Sequence, residues 1–329
     1  MAANYFIFDM DETLAELFPV YYFVASLRLK ESCDDDKPLC DHIPGSLLDS
    51  LNKAYHLFVQ SILDSEVSKM PLGILRPGIL SIMQKLNQLQ KAGKIKNVVI
   101  YSNNGHLESL EFIRDIIHKY LKTNDLIKEC IHWNHHMRGE ERQIRPGAAN
   151  KTWNVLRNIL VDGNCKAPEM IEPNNIYFFD DLDHPDLQRN LGTNYYKVPG
   201  YDFKASFDRI ATIYRECITK ADVNSGMLLD YIVELFINQN EIRDKMVEGN
   251  LDKIIRLFRM KTPGTAKADD RVPGRDTGIL MMESAISRVQ FQGGKRYTKR
   301  VRHSTKKKTR SSRILSRGKK KLKSSADQR

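Results

Sequence analysis

The sequence predicts an α/β fold, and three observations predict it. Short apolar or β-branched runs, Tyr5-Phe6-Ile7-Phe8, Ile95 to Tyr101 and Asn175 to Phe179, have the length and composition of buried strands. Segments between them carry apolar residues at helical spacing, as after Asn150, where Val155, Leu156, Ile159 and Leu160 fall on one side of a helix. Each strand-like run also ends abruptly on polar residues with ligand chemistry, at the edge where open α/β sheets bind ligands.

The first run opens onto Asp9-Met10-Asp11-Glu12-Thr13. Asp11 faces the same side as Asp9 if the chain stays extended, so one carboxylate can attack while the next carries a proton. Alone, this pattern has little weight, because two acids in five residues arise often in a chain that is 28% charged. The second run ends on Ser102-Asn103-Asn104-Gly105, a hydroxyl with free backbone N–H groups; an ordinary strand-to-helix turn capped by Ser or Asn reads the same way. Asn150 has the character of an N-cap, which puts Lys151 in the first turn of the next helix. A cation there opposes the helix dipole unless an anion lies nearby; a solvated surface lysine is the alternative. The last run opens onto Asp180-Asp181-Leu182-Asp183, where adjacent carboxylates repel unless a cation or solvent relieves them.

These four motifs, in this order and each beside an apolar element, resemble the haloacid dehalogenase superfamily of phosphohydrolases over about residues 4 to 215. The resemblance implies a Rossmann-like, three-layer fold with sheet strands near 5–9, 97–101, 128–133, 176–180 and 195–198. It implies Asp9 as the nucleophile that forms an aspartyl-phosphate, and Asp11 as the group that protonates the leaving oxygen and then activates water. It implies Thr13, Ser102, Asn103 and Lys151 as the phosphate-binding set. Asp9, Asp180 and the backbone carbonyl of Asp11 would ligate Mg2+, with Asp181 beside them. The chemistry is coherent: a carboxylate can approach a phosphoryl group only if a divalent ion and a lysine offset the repulsion, and oxygen-only ligands suit magnesium. Asp11 needs a raised pKa for its role.

Within that superfamily the chain resembles the NLI-interacting-factor and RNA polymerase II carboxy-terminal-domain phosphatases. The resemblance rests on Asp9 to Leu14, Arg76-Pro77-Gly78, His184-Pro185 after Asp180-Asp181, and Val198-Pro199-Gly200-Tyr201. The chain departs from that group at Ser102, where threonine is usual, at Thr152, where the lysine is usually followed by aspartate, and at Leu182, where serine is usual.

The expected organisation is a phosphatase core over 1–215 with a cap insertion over 15–75, a helical extension over 216–260, a linker over 261–294 and a disordered tail over 295–329. Some sixty residues between the first motif and Arg76 are too many for a structureless loop. Ser46 to Asp49 reads as a capping box opening a helix with Leu47, Leu48, Leu51, Ala54, Tyr55, Phe58, Ile62 and Leu63 on its apolar side. Such a helix covers the site or packs on the core away from it. The tail holds sixteen Lys or Arg against Asp327, a net of +15, so the body is slightly acidic although the chain as a whole carries +11. It has too few apolar residues to fold alone, and Lys306 to Lys308 and Lys319 to Lys321 suit nuclear import, nucleic-acid phosphates or simple solubility. Its composition resembles that of proteins of large nucleocytoplasmic DNA viruses.

Other features have less chemistry in them. Cys33, Cys40 and His42 lack a usual zinc spacing. Five cysteines, an odd number, and no secretory leader suggest reduced thiols and an intracellular home, in cytoplasm or nucleus. His132, His135 and His136 read as rim residues or substrate contacts. Arg138, Arg142 and Arg145 can reach an anionic substrate, although Glu140 and Glu141 between them favour a solvated loop. No membrane span is expected, since the apolar run from Leu17 to Leu27 is short and broken by Pro19. Two functions remain: a phosphomonoesterase acting on a phosphoprotein or a nucleic acid or nucleotide phosphate, and a catalytically silent phosphate- or nucleic-acid-binding protein. The intact acids favour the enzyme.

Overall fold

A computed structural model describes residues 4–28, 45–144, 150–162, 171–201, 205–221, 229, 251–262 and 276–291. Its centre is a five-stranded parallel sheet of order β3-β2-β1-β4-β5, formed by β1 (Asn4–Phe8), β2 (Ile95–Tyr101), β3 (Ile127–Ile131), β4 (Ile176–Asp180) and β5 (Tyr195–Lys197). The chain runs outward from β1 to β3, then returns to the other side of β1 for β4. That reversal puts a crevice at the C-terminal ends of β1 and β4, the place where such sheets take ligands.

β1 and β4 read as unbroken apolar runs because both faces are covered. On one face Tyr5, Ile7, Val99, Tyr101 and Phe178 pack with Val155, Leu156 and Ile159 of α6 (Trp153–Asp162) and with Leu187 and Leu191 of α7 (Pro185–Leu191). The alternate residues point the other way and stack across strands, Phe6 on Tyr177 at 4.9 Å, Phe8 on Phe179 at 4.8 Å and Phe179 on Tyr196 at 4.8 Å. The fold is therefore α/β, as the strand pattern predicts, and its parallel sheet is compatible with the Rossmann-like, three-layer arrangement that the resemblance implies.

The remaining helices are α1 (Tyr21–Leu27), α2 (Gly45–Glu66), α3 (Ile79–Lys91), α4 (Leu107–Leu121), α5 (Gly139–Ile144) and α8 (Phe207–Lys220). The described part of the 15–75 segment, α1 and α2, packs against α4 and α8 around Phe23, Phe58, Phe112 and Tyr214. Leu48, expected on the buried side of α2, stays partly exposed. Part of the expected 15–75 cap, residues 29–44, lies outside the described residues. Of the expected extension, Leu251–Lys261 is helical and sets Phe258 edge-on to Phe23 at 5.1 Å.

The linker expected over 261–294 is corrected over 277–291, which are helical. Asp276 caps this helix, its Oδ1 accepting from the Ile279 N–H at 3.1 Å. The chain divides into two compact units, Met1–Glu283 and Ser284–Arg329. Within the first, Glu283 receives Lys85 at 2.5 Å, and Ile279 lies against Gly78, whose φ of +93° suits glycine. Of the second unit only 284–291 are described, so the basic tail lies outside the described residues. None of the helices among the described residues is long and apolar enough to cross a membrane.

Candidate active site

The strand ends are laced together before any side chain acts. Asp9 donates its N–H to the Phe179 carbonyl at 2.8 Å, and Ser102 donates its N–H to the Ile131 carbonyl at 2.9 Å. Asp9 thus sits directly beside Asp180, the last residue of β4. The turn after Asp9 is held from behind. Glu12, at φ 56°, accepts on its carbonyl from Arg76 at 3.0 Å and from the Tyr201 N–H at 2.7 Å. Arg76, only 2% exposed, also donates to the Pro199 carbonyl and faces Asp276 at 3.5 Å. Arg76-Pro77-Gly78 and Val198 to Tyr201 therefore brace the first motif. Arg76→Ala should cost on the order of 3 kcal/mol, because it removes a buried side chain that ties the Glu12 and Pro199 carbonyls to Asp276 and leaves a cavity in its place. Urea unfolding checks this; a loss under about 1 kcal/mol would contradict the bracing role.

Lys151 is wholly buried, which excludes the solvated-lysine reading. Its Nζ donates to Asp9 Oδ1 at 2.5 Å and to Asp180 Oδ2 at 2.7 Å. Burial works against its charge, but the two carboxylates outweigh burial and hold its pKa above the ordinary lysine value. The rings of Tyr101 and Phe178, 5.5 and 5.7 Å from Nζ, add cation–π attraction.

His184 ties this lysine to Asp180. Its Nδ1 accepts from the Lys151 backbone N–H at 3.2 Å, so the proton sits on Nε2, which lies 3.1 Å from Asp180 Oδ2. The Leu182 N–H reaches Asp180 Oδ1 at 2.9 Å. Burial alone would raise the Asp180 pKa; Lys151 and His184 outweigh it and bring the carboxyl down to about 2. Asp9 has Lys151 but not these further donors, so burial, reinforced by the charge of Asp180, pushes it up to about 8. Asp181 is raised by burial and then by Asp180. The carboxylates of Asp9, Asp180 and Asp181 offer oxygens that all lie within 4.8 Å of one another, a cluster that can hold a metal ion.

Around this cluster the expected residues take unequal places. Thr13 is buried and donates to Asp181 Oδ1 at 3.4 Å, a weak contact. Ser102 Oγ accepts from the Asn104 N–H at 3.1 Å. Asn103 turns its side-chain oxygen to Arg138 at 2.7 Å, so that oxygen is committed to holding the loop. Asn104, not singled out from the sequence, instead donates to Asp11 Oδ2 at 3.1 Å. Burial raises the Asp11 pKa against the hydrogen bond from Asn104 and the charge of Lys151, which suits a proton carrier.

Arg138 and Glu141, expected in a solvated loop, are instead 0% and 1% exposed. They pair with one another, which removes the need for solvent. His132, His135 and His136 lie partly or fully exposed on the neighbouring loop, and burial brings His132 down to about 4. Arg145 lies outside the described residues. A groove of about 980 Å³ lined by His56, Gln60, Arg114, His118 and Lys122 includes none of the four motifs. No family model, curated protein or solved structure matches this chain.

Proposed function

We propose that this chain is a magnesium-dependent phosphomonoesterase of the haloacid dehalogenase type, working through an aspartyl-phosphate on Asp9. One observation carries the reading. At the C-terminal ends of β1 and β4, three carboxylates bring oxygens within 4.8 Å of one another, while a buried ammonium spans two of them. An oxygen-only donor set with excess negative charge fits a hard divalent cation, and Asp9, Asp180 and Asp181 are the residues that would hold it. Magnesium there would neutralise the oxygens of an incoming phosphoryl group.

The residues divide the remaining work. Asp9 attacks phosphorus while Asp11 gives its proton to the leaving oxygen. Asp11, now a carboxylate, takes a proton from water, and the water attacks the phosphoryl group on Asp9 to free phosphate. Lys151 and Ser102 supply charge and a hydroxyl to the phosphoryl oxygens. Asn104 orients the Asp11 carboxyl from 3.1 Å. The substrate class is a phosphoprotein or a nucleic acid or nucleotide phosphate, and the +15 tail favours a polyanion.

The test is hydrolysis of para-nitrophenyl phosphate, phosphopeptides, nucleotides and end-phosphorylated oligonucleotides. Turnover should require Mg2+, vanish with chelator and return on re-addition. Mg2+ should also raise the melting temperature, since it binds the folded carboxylate cluster and not the unfolded chain. Phosphate binding without turnover on any of these would support the silent binding protein instead.

A further inference from the structure

Arg138 and Glu141 lie on consecutive elements, a short 3-10 turn over His136–Arg138 and α5, and both side chains are wholly buried. Arg138 donates from Nε to Glu141 Oε2 at 2.7 Å, from one terminal nitrogen to the Ser102 carbonyl at 2.5 Å, and from the other to Asn103 Oδ1 at 2.7 Å. Its guanidinium packs on the rings of Tyr101, at 4.6 Å, and Trp133, at 5.0 Å. Glu141 Oε1 accepts from the Tyr101 hydroxyl at 2.5 Å, the Thr152 N–H at 2.6 Å and the Thr152 hydroxyl at 3.2 Å.

The arginine thus grips the loop that carries Ser102, and the glutamate grips the residue after Lys151. A buried ion pair is a poor device for stability alone, since desolvation cancels most of its attraction and apolar replacement is often neutral or better. What this pair does supply is geometry, because a planar fork and a carboxylate leave each loop a single position. We propose that Arg138 and Glu141 form a positioning pair that sets the separation of Ser102 from Lys151 and so the width of the cradle for the phosphoryl group. Neither residue touches the reacting atoms. The inference rests on the phosphoryl-transfer reading given above.

Glu141→Gln, Arg138→Lys and the paired substitution Arg138→Met with Glu141→Met test it. Each is compared with the wild type for melting temperature, for turnover of para-nitrophenyl phosphate with Mg2+, and for inhibition of that turnover by orthovanadate, which fills the cradle without passing through the covalent step. Arg138→Lys, which keeps the buried charge, should melt within a few degrees of the wild type, whereas Glu141→Gln, which leaves that charge without its anion, should fold but melt well below it. Both should lose about 10- to 100-fold in kcat/KM, with a parallel rise in the vanadate inhibition constant. The paired variant removes both charges together, so it should fold and show the same loss. Folded variants with wild-type vanadate inhibition and kcat/KM would overturn the proposal, and so would variants that cannot fold at all, since the pair would then be structural. A wild type with neither turnover nor vanadate affinity would instead overturn the phosphoryl-transfer reading itself.

Discussion

Asp9→Asn should abolish turnover, by about four orders of magnitude or more, in a protein that remains folded. The amide keeps the shape of the carboxyl and an oxygen for Lys151 to reach, so the packing around β1 and β4 has no reason to change. In the proposed mechanism it removes the attacking anion and one charge of the carboxylate cluster. Burial already pushes the Asp9 carboxyl up to about 8, meaning that its ionised form costs the fold something at neutral pH. A neutral side chain should therefore leave stability equal or higher. Steady-state assays and a thermal melt on the same preparation check both halves. Residual turnover within a hundredfold of the wild type would remove Asp9 from the nucleophile's role.

Lys151→Met should be damaging in a different way. Methionine fills the same buried space beside Tyr101 and Phe178 but leaves Asp9 and Asp180 without their shared cation. Breaking one side of a buried pair typically costs about 3–5 kcal/mol, and the loss should be largest in chelator. Mg2+ should restore part of it by neutralising the same carboxylates. Turnover should fall about 10²- to 10³-fold even with saturating Mg2+, because one donor to the phosphoryl oxygens is gone. Urea unfolding with and without Mg2+ decides the matter. A stability loss below about 1 kcal/mol in chelator would mean that the lysine does not hold the carboxylates together.

The sheet was legible because parallel strands buried on both faces leave continuous apolar runs, and Tyr5 to Phe8 and Asn175 to Phe179 are such runs. The acids after β1 and β4 were legible for the same reason, since a strand's end fixes where the next residue goes. Lys151 was half-legible. Its place at a helix start pointed to an anion, but Asp9 is 142 positions away in the chain and only the fold brings it within reach. Arg138 and Glu141 were misread because alternating charges look like a solvated loop, and their partners Tyr101, Ser102 and Thr152 come from other segments. His184 stood out only as part of a motif, and its tie between Lys151 and Asp180 needed coordinates. The helix over 277–291 was hidden by the Pro and Gly residues just before it, although Asp276 three positions ahead of Ile279 is an N-cap signal.

Trapping the proposed covalent intermediate is the most direct test. Asp11→Asn should slow both formation and hydrolysis of the phosphoenzyme, because in the proposed mechanism the same carboxyl serves as acid and then as base. Mixing that variant and the wild type with Mg2+ and labelled substrate, quenching in acid and locating the label by peptide mass spectrometry reads this out. Label should appear on Asp9, with slower formation and slower decay in the variant. Turnover with no acid-stable adduct, or an adduct on another residue, would contradict the mechanism.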